Sequence, residues 1–203
     1  YCVAVSLCGI LNACAVEEND VSKAQTAGLT ELYDARGKDV EWLFESDYWD
    51  QFRHDMIFEV EHHSSRRYNL VDYPVFCGAP VWHAENQDQR SEFLKNFEAD
   101  SPSFGWGAVH GDEGSLNMQI TLAGGFFMPS DWSRDLSVLS AIQVDCEQKE
   151  RPEISYEEDV HYVSFVMSDG DNLQWLMGDY DSPKWFGNEH RGDFPMGWMI
   201  PPA

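Results

Sequence analysis

Basic residues are scarce in this sequence: 13 Lys and Arg stand against 36 Asp and Glu in 203 residues, a formal charge of −23. Such an excess of negative charge repels phosphate backbones and anionic surfaces at long range, so no nucleic-acid partner is expected. Cysteine is also sparse and unpaired in pattern. Cys2, Cys8, Cys14, Cys77 and Cys146 are odd in number and include no C-x-x-C, which speaks against a zinc ribbon or a thioredoxin-type centre. His54, His62, His63, His83, His110, His161 and His190 never fall into H-E-x-x-H spacing, so a zinc hydrolase is disfavoured. There is no Gly-rich phosphate loop and no G-x-S-x-G elbow, which removes common nucleotide and serine-hydrolase readings. The apolar opening, residues 1–16, lacks an initiating Met and a basic stretch, and it is shorter than the ~20 residues that span a bilayer. It reads as a buried strand running into a helix, the alternative being a leftover signal segment with Ala13-Cys14-Ala15 as its small-residue site, and no membrane span is expected.

Aromatic residues, by contrast, are plentiful, with 8 Trp, 8 Tyr and 12 Phe, which excludes a disordered chain and suits an aromatic core or a sugar-stacking cleft. Periodicity predicts a short strand over residues 29–34 and a helix over 38–54 with Val40, Leu43, Phe44, Tyr48 and Phe52 on one face. A strand is expected over 56–60, another short one within 73–82, and a helix over 86–98. An extended stretch over 104–110 precedes a polar segment at 111–117, and Gly124-Gly125 breaks the chain before a strand at 126–128. The charged run 145–159 reads as a loop, and 161–167 as a strand buried on both faces of a parallel sheet. Strands alternating with helices predict an α/β fold, part of a barrel-like parallel-strand domain. The start at Tyr1 and the stop at Ala203 predict a piece of something longer.

The sharpest chemical signal is the passage from that last strand into Ser168-Asp169-Gly170-Asp171-Asn172. Ligands gather at the carboxyl ends of parallel strands, and if the extended conformation persists, Asp169 and Asp171 share one face roughly 6–7 Å apart. Two carboxyls so placed can separate in pKa and divide acid and base roles. Against this, Asp171 would serve as the cap of a helix over 172–177. An EF-hand counted from Asp169 fails, with Gln174 at the glycine position and Tyr180 at the bidentate one, and the metal question stays open. A second acidic group, Asp112 and Glu113, follows the extended stretch that carries Trp106 and His110. Asp131 and Arg134 are placed for hydroxyl recognition, while a capped helix start explains Ser130 and Asp131 equally well.

The runs HYVSFVMSDGDNLQWLMG, FPMGWMIPPA and FGWGAVHGDEGSLNMQITLAGGFFMPSDWSRDLSVLSAI together resemble the GxGYxYP putative glycoside hydrolase family. The turn at Tyr33-Asp34-Ala35-Arg36-Gly37 and the run Tyr68-Asn69-Leu70-Val71-Asp72-Tyr73 are similar in order and spacing. The resemblance implies an exported protein acting on poly- or oligosaccharides without a cofactor. It implies an N-terminal α/β portion, 1–100, and the start of a catalytic domain, 101–203. Carried over residue by residue, the implied catalytic carboxyls are Asp169, Asp171, Glu113 and Asp112, with Asn172, Trp106, Trp132, Trp175 and Arg134 as substrate contacts. The signature G-x-G-Y-x-Y-P does not occur in these 203 residues, so whatever group it supplies is expected beyond them. A non-catalytic carbohydrate-binding protein and a metal-dependent glycosyltransferase are the alternative readings.

Overall fold

A computed structural model of the chain describes residues 18–28, 38–60, 69–70, 72–108, 112–145, 153 and 155–200. The strand expected at 29–34, the whole apolar opening, His62, His63, His110 and every cysteine except Cys77 lie outside these residues. Helix α1 is Glu18–Thr26 and α2 is Val40–Glu45. Asp39 starts α2 by accepting the Trp42 amide at 2.9 Å. The helix ends far short of residue 54, because Ser46 turns extended and its hydroxyl binds back to the Leu43 carbonyl. Trp49–Gln51 then forms a 3-10 turn.

Strand β1, Ile57–Val60, is buried along its whole length. The stretch expected as a strand after Tyr73 is instead helix α3, Asp72–Cys77. Pro74 sits in its first turn, where a missing amide hydrogen costs nothing, and of the stretch 73–82 only Trp82 pairs with a strand. Cys77 remains a free, half-buried thiol. Helix α4, Gln87–Leu94, is capped by Asn86, which accepts the Gln89 amide at 2.9 Å. Strand β2 is Pro102–Trp106, and the segment read as merely polar becomes helix α5, Glu113–Leu122, burying Leu116 and Ile120. Strand β3, Phe126–Pro129, and helix α6, Leu136–Leu139, complete this half.

β1, β2 and β3 pair in parallel in that order, with Ile57 opposite Ser103 and Pro102 opposite Phe126. On the far edge of β1, Trp82 makes a parallel bridge to Glu59. The spatial order is therefore Trp82, β1, β2, β3, although Trp82 follows β1 in the chain. The connections leave β1 in opposite directions, as in an open, doubly wound sheet. Successive staves of a barrel follow chain order, and the described strands do not close on themselves; the fold is α/β with parallel strands in an open sheet. Right-handed crossovers going opposite ways deposit helices on opposite faces, which accounts for α3 packing with α6 and α4 with α5.

Both faces of the sheet are sealed by rings. Phe44, Trp82, Phe93 and Phe97 pack together, Phe44 stacking on Phe93 at 4.6 Å. Tyr73 meets Phe58 and Phe104 edge-on. Each such ring, fully buried, contributes on the order of 1.5–3 kcal/mol. A 530 Å³ apolar cleft lies beside the rings of Tyr73, Phe104 and Phe126.

The strand expected over 161–167 is confined to β4, Val166–Met167, paired in parallel with β5, Gly197–Trp198. It is not buried on both faces: Val163, Phe165 and Val166 are exposed. Helix α7, Leu173–Leu176, follows, and Leu173 packs against the main core.

Candidate active site at the carboxyl ends of the strands

In an open parallel sheet the crevice lies between the two strands whose connections diverge, here β1 and β2. At that mouth the backbone is stripped of side chains. Gly105 has φ +96°, and a Cβ there would overlap the Glu59 carbonyl; a Cβ at Gly107 would overlap the Glu59 carboxyl group. Gly105-Trp106-Gly107 therefore lets β2 lie directly against β1 and leaves a socket for one acid.

Glu59 fills it. Its side chain is 2% exposed and accepts Nε of Arg90, itself 1% exposed, at 2.9 Å on both oxygens. The Ala84 amide, just past Trp82, adds a longer bond at 3.3 Å. Burial raises the Glu59 carboxyl to about 7, outweighing the opposing pull of Arg90 and of the Ala84 amide. Arg90 reaches three further acceptors: the Gly107 carbonyl at 2.9 Å, Asp112 at 2.8 Å and Gln119 at 3.1 Å. One guanidinium thus joins the ends of β1 and β2 to α4 and α5.

Of the acids expected from sequence, Asp112 and Glu113 stand where α5 begins beyond β2, whereas Asp169 and Asp171 follow β4 in the separate two-stranded sheet. Asp112 precedes α5 without capping it; its carboxylate accepts from Arg90 and, at 2.6 Å, from Gln87. Glu113, the first residue of α5, is exposed. Asp169 follows β4 by two residues, is exposed, and has φ +65°. That left-handed turn ends the extended conformation, so the two-residue spacing no longer sets Asp169 and Asp171 on one face of a strand. Gly170 is buried, and its α-carbon side lies against the Met199 carbonyl, where a Cβ would overlap. The glycine thus serves close packing onto β5 rather than openness of the rim. Asp171 is exposed, and the helix cap considered for it belongs to Asn172, whose side chain accepts the Trp175 amide at 2.9 Å.

The aromatic contacts also divide. Trp106 packs on Phe127 at 5.7 Å, and Trp132 is 52% exposed. Trp175 is half-buried against Tyr180 and Trp185, in a ring cluster that also holds Phe186 and Trp198. Arg134 is exposed and donates to Asn69, which in turn donates to the Asp131 carbonyl. The Asp131 carboxylate accepts from Gln174 on α7 at 3.1 Å, tying the loop after β3 to the helix that follows the Ser168-Asp169-Gly170-Asp171-Asn172 turn. Ser130, read as a helix start, is buried and accepts the Gly105 amide at 2.7 Å.

Sequence reasoning did not single out Glu59 or Arg90. A signal was present: Glu59 is the lone charge in the apolar run 56–60, and an acid in a buried strand requires a buried partner. No three acids, histidines or cysteines group as a metal site among the described residues.

Two family models match. Residues 159–203 match the "GxGYxYP putative glycoside hydrolase C-terminal domain", and residues 2–52 match the "GxGYxYP_N second domain". A search of curated proteins finds no match. Among solved structures, a "putative hydrolase" from Bacteroides thetaiotaomicron VPI-5482 is similar, with 32% identity and a TM-score of 0.67 over 98% of this chain. This chain spans 39% of that protein's length.

Proposed function

The chain belongs to the GxGYxYP family, and from that premise we propose that it forms part of an exported enzyme hydrolysing glycosidic bonds of poly- or oligosaccharides. Asp169 carries this reading. It lies just past the carboxyl end of a parallel strand, exposed, in a backbone conformation uncommon outside glycine, with no side-chain hydrogen bond among the described residues. Three other aspartates share that conformation, Asp100, Asp135 and Asp159, but none directly follows a described strand.

Glu113 is the partner we assign, at the start of α5 where the chain leaves β2. One carboxyl protonates the leaving oxygen, and the other activates water or attacks the anomeric carbon. Asp112, already held by Arg90 and Gln87, orients the rim instead of moving a proton. Trp106 and Trp132 offer ring faces to a sugar.

The test is turnover of a glycan panel by the full-length protein, with Asp169→Asn and Glu113→Gln, in the presence and absence of a chelator. Hydrolysis that resists chelation and falls at least a hundredfold in each variant supports the proposal. Chelator-sensitive transfer, or glycan binding without turnover, would replace it with a glycosyltransferase or a binding protein.

A further inference from the structure

An aspartate before a helix ordinarily accepts an amide of the first turn, yet Asp112 makes no such bond to α5. Its carboxylate is turned toward α4, to Nη1 of Arg90 at 2.8 Å and to Gln87 at 2.6 Å. The same Arg90 nitrogen reaches Gln119 on α5 itself, about two turns further along, at 3.1 Å. The guanidinium is anchored from below by Glu59 and by the Gly107 carbonyl. The start of α5 is therefore held not by its own cap but by a buried cation rooted in β1 and β2.

We propose that Arg90 is a positioning residue that fixes where Glu113 stands at the rim, acting through Asp112 and Gln119. The inference rests on the reading of Glu113 as a reacting group, and it names the residue that aims it. A planar guanidinium suits this task, since it presents donors in several fixed directions, whereas a lysine ammonium cannot hold Glu59, Gly107 and Asp112 together. Without that hold, the first turn of α5 opens more often and Glu113 loses its fixed orientation.

The experiment pairs kinetics with amide hydrogen exchange on the full-length protein, using Arg90→Lys and the rim variant Asp112→Ala, which removes the same link without disturbing the buried pair. Both should accelerate exchange of the Leu116 amide, which donates to the Asp112 carbonyl, while leaving β3 unchanged. Both should lower kcat about tenfold or more with KM within twofold, and neither should lower it further in a Glu113→Gln background. Unchanged exchange in Asp112→Ala overturns the inference whatever the kinetics. So does an equal, multiplicative loss of kcat with and without Glu113, which is the mark of a general structural role. If exchange accelerates as expected but Glu113→Gln retains full turnover, the positioning stands and the assignment of Glu113 as a reacting group falls.

Discussion

Nε of Arg90 lies 2.9 Å from each carboxylate oxygen of Glu59, and the two side chains are 1% and 2% exposed. Glu59, so fully withdrawn from water, has Arg90 as its counter-ion, and without it the carboxylate is a buried charge with none, whereas Arg90 still has Asp112. Arg90→Met should destabilise the protein by about 3–5 kcal/mol, read as a lowered denaturant midpoint at neutral pH. A loss below about 1 kcal/mol would mean that water reaches Glu59.

The same pair gives a pH dependence of defined sign. Glu59 binds its proton more tightly folded, at about 7, than in an ordinary exposed carboxyl at 4.5. Its linked contribution is complete below about 4.5 and is lost as pH rises through 7, a swing of about 3 kcal/mol. Subtracting the stability curve of Glu59→Gln from that of the parent should reveal a decline over that window. A difference curve that is flat, or that climbs with pH, would refute it.

Glycine at the crevice is a steric requirement. Gly107→Ala should cost several kcal/mol, because the new methyl meets the Glu59 carboxyl, which cannot move without abandoning Arg90. The double variant Gly107→Ala with Glu59→Ala should recover part of the loss, since the obstructing carboxyl is gone. Thermal unfolding of the two variants side by side measures this, and equal destabilisation would show that the overlap is relieved elsewhere.

Asn172 separates capping from substrate contact. Asn172→Ser keeps an oxygen for the Trp175 amide, whereas Asn172→Ala removes it and should cost about 1 kcal/mol. If the residue serves only the helix, glycan turnover by the Ser variant should equal that of the parent. A raised KM in the Ser variant would restore it as a sugar ligand.

Much of the fold was legible in the residues that obey local rules. The apolar run 57–60, the Gly124-Gly125 stop before β3 and the asparagine before α4 each had a single mechanical reading, and each element appears. The errors have a common cause, in that long-range contacts decided them. Residues 73–77 fell within a stretch expected to hold a strand because the place of Pro74 in a helical first turn was unknown, and the start of α5 looked polar because only Leu116 and Ile120 of that helix are turned inward. Barrel-like closure was suggested by alternation of strand and helix, which every doubly wound sheet shares; only the bridge from Trp82 to Glu59 reveals the reversal. At the mouth of β1 and β2, motif reading named Asp112 but not the buried arginine that holds it, since Glu59 and Arg90 meet across 31 residues with no spacing rule to announce it.

The placement of β1 in the middle of its sheet also bears on how the chain matures. Ile57 aligns with Ser103, so a ribosome must deliver two complete crossovers before that strand meets its neighbour on the β2 side. Until then its edge is bare and its apolar side chains uncovered, in a topology whose distant pairings make assembly slow. Helpers that shield nascent hydrophobic strands should therefore act on this protein between the emergence of residue 57 and that of residue 106.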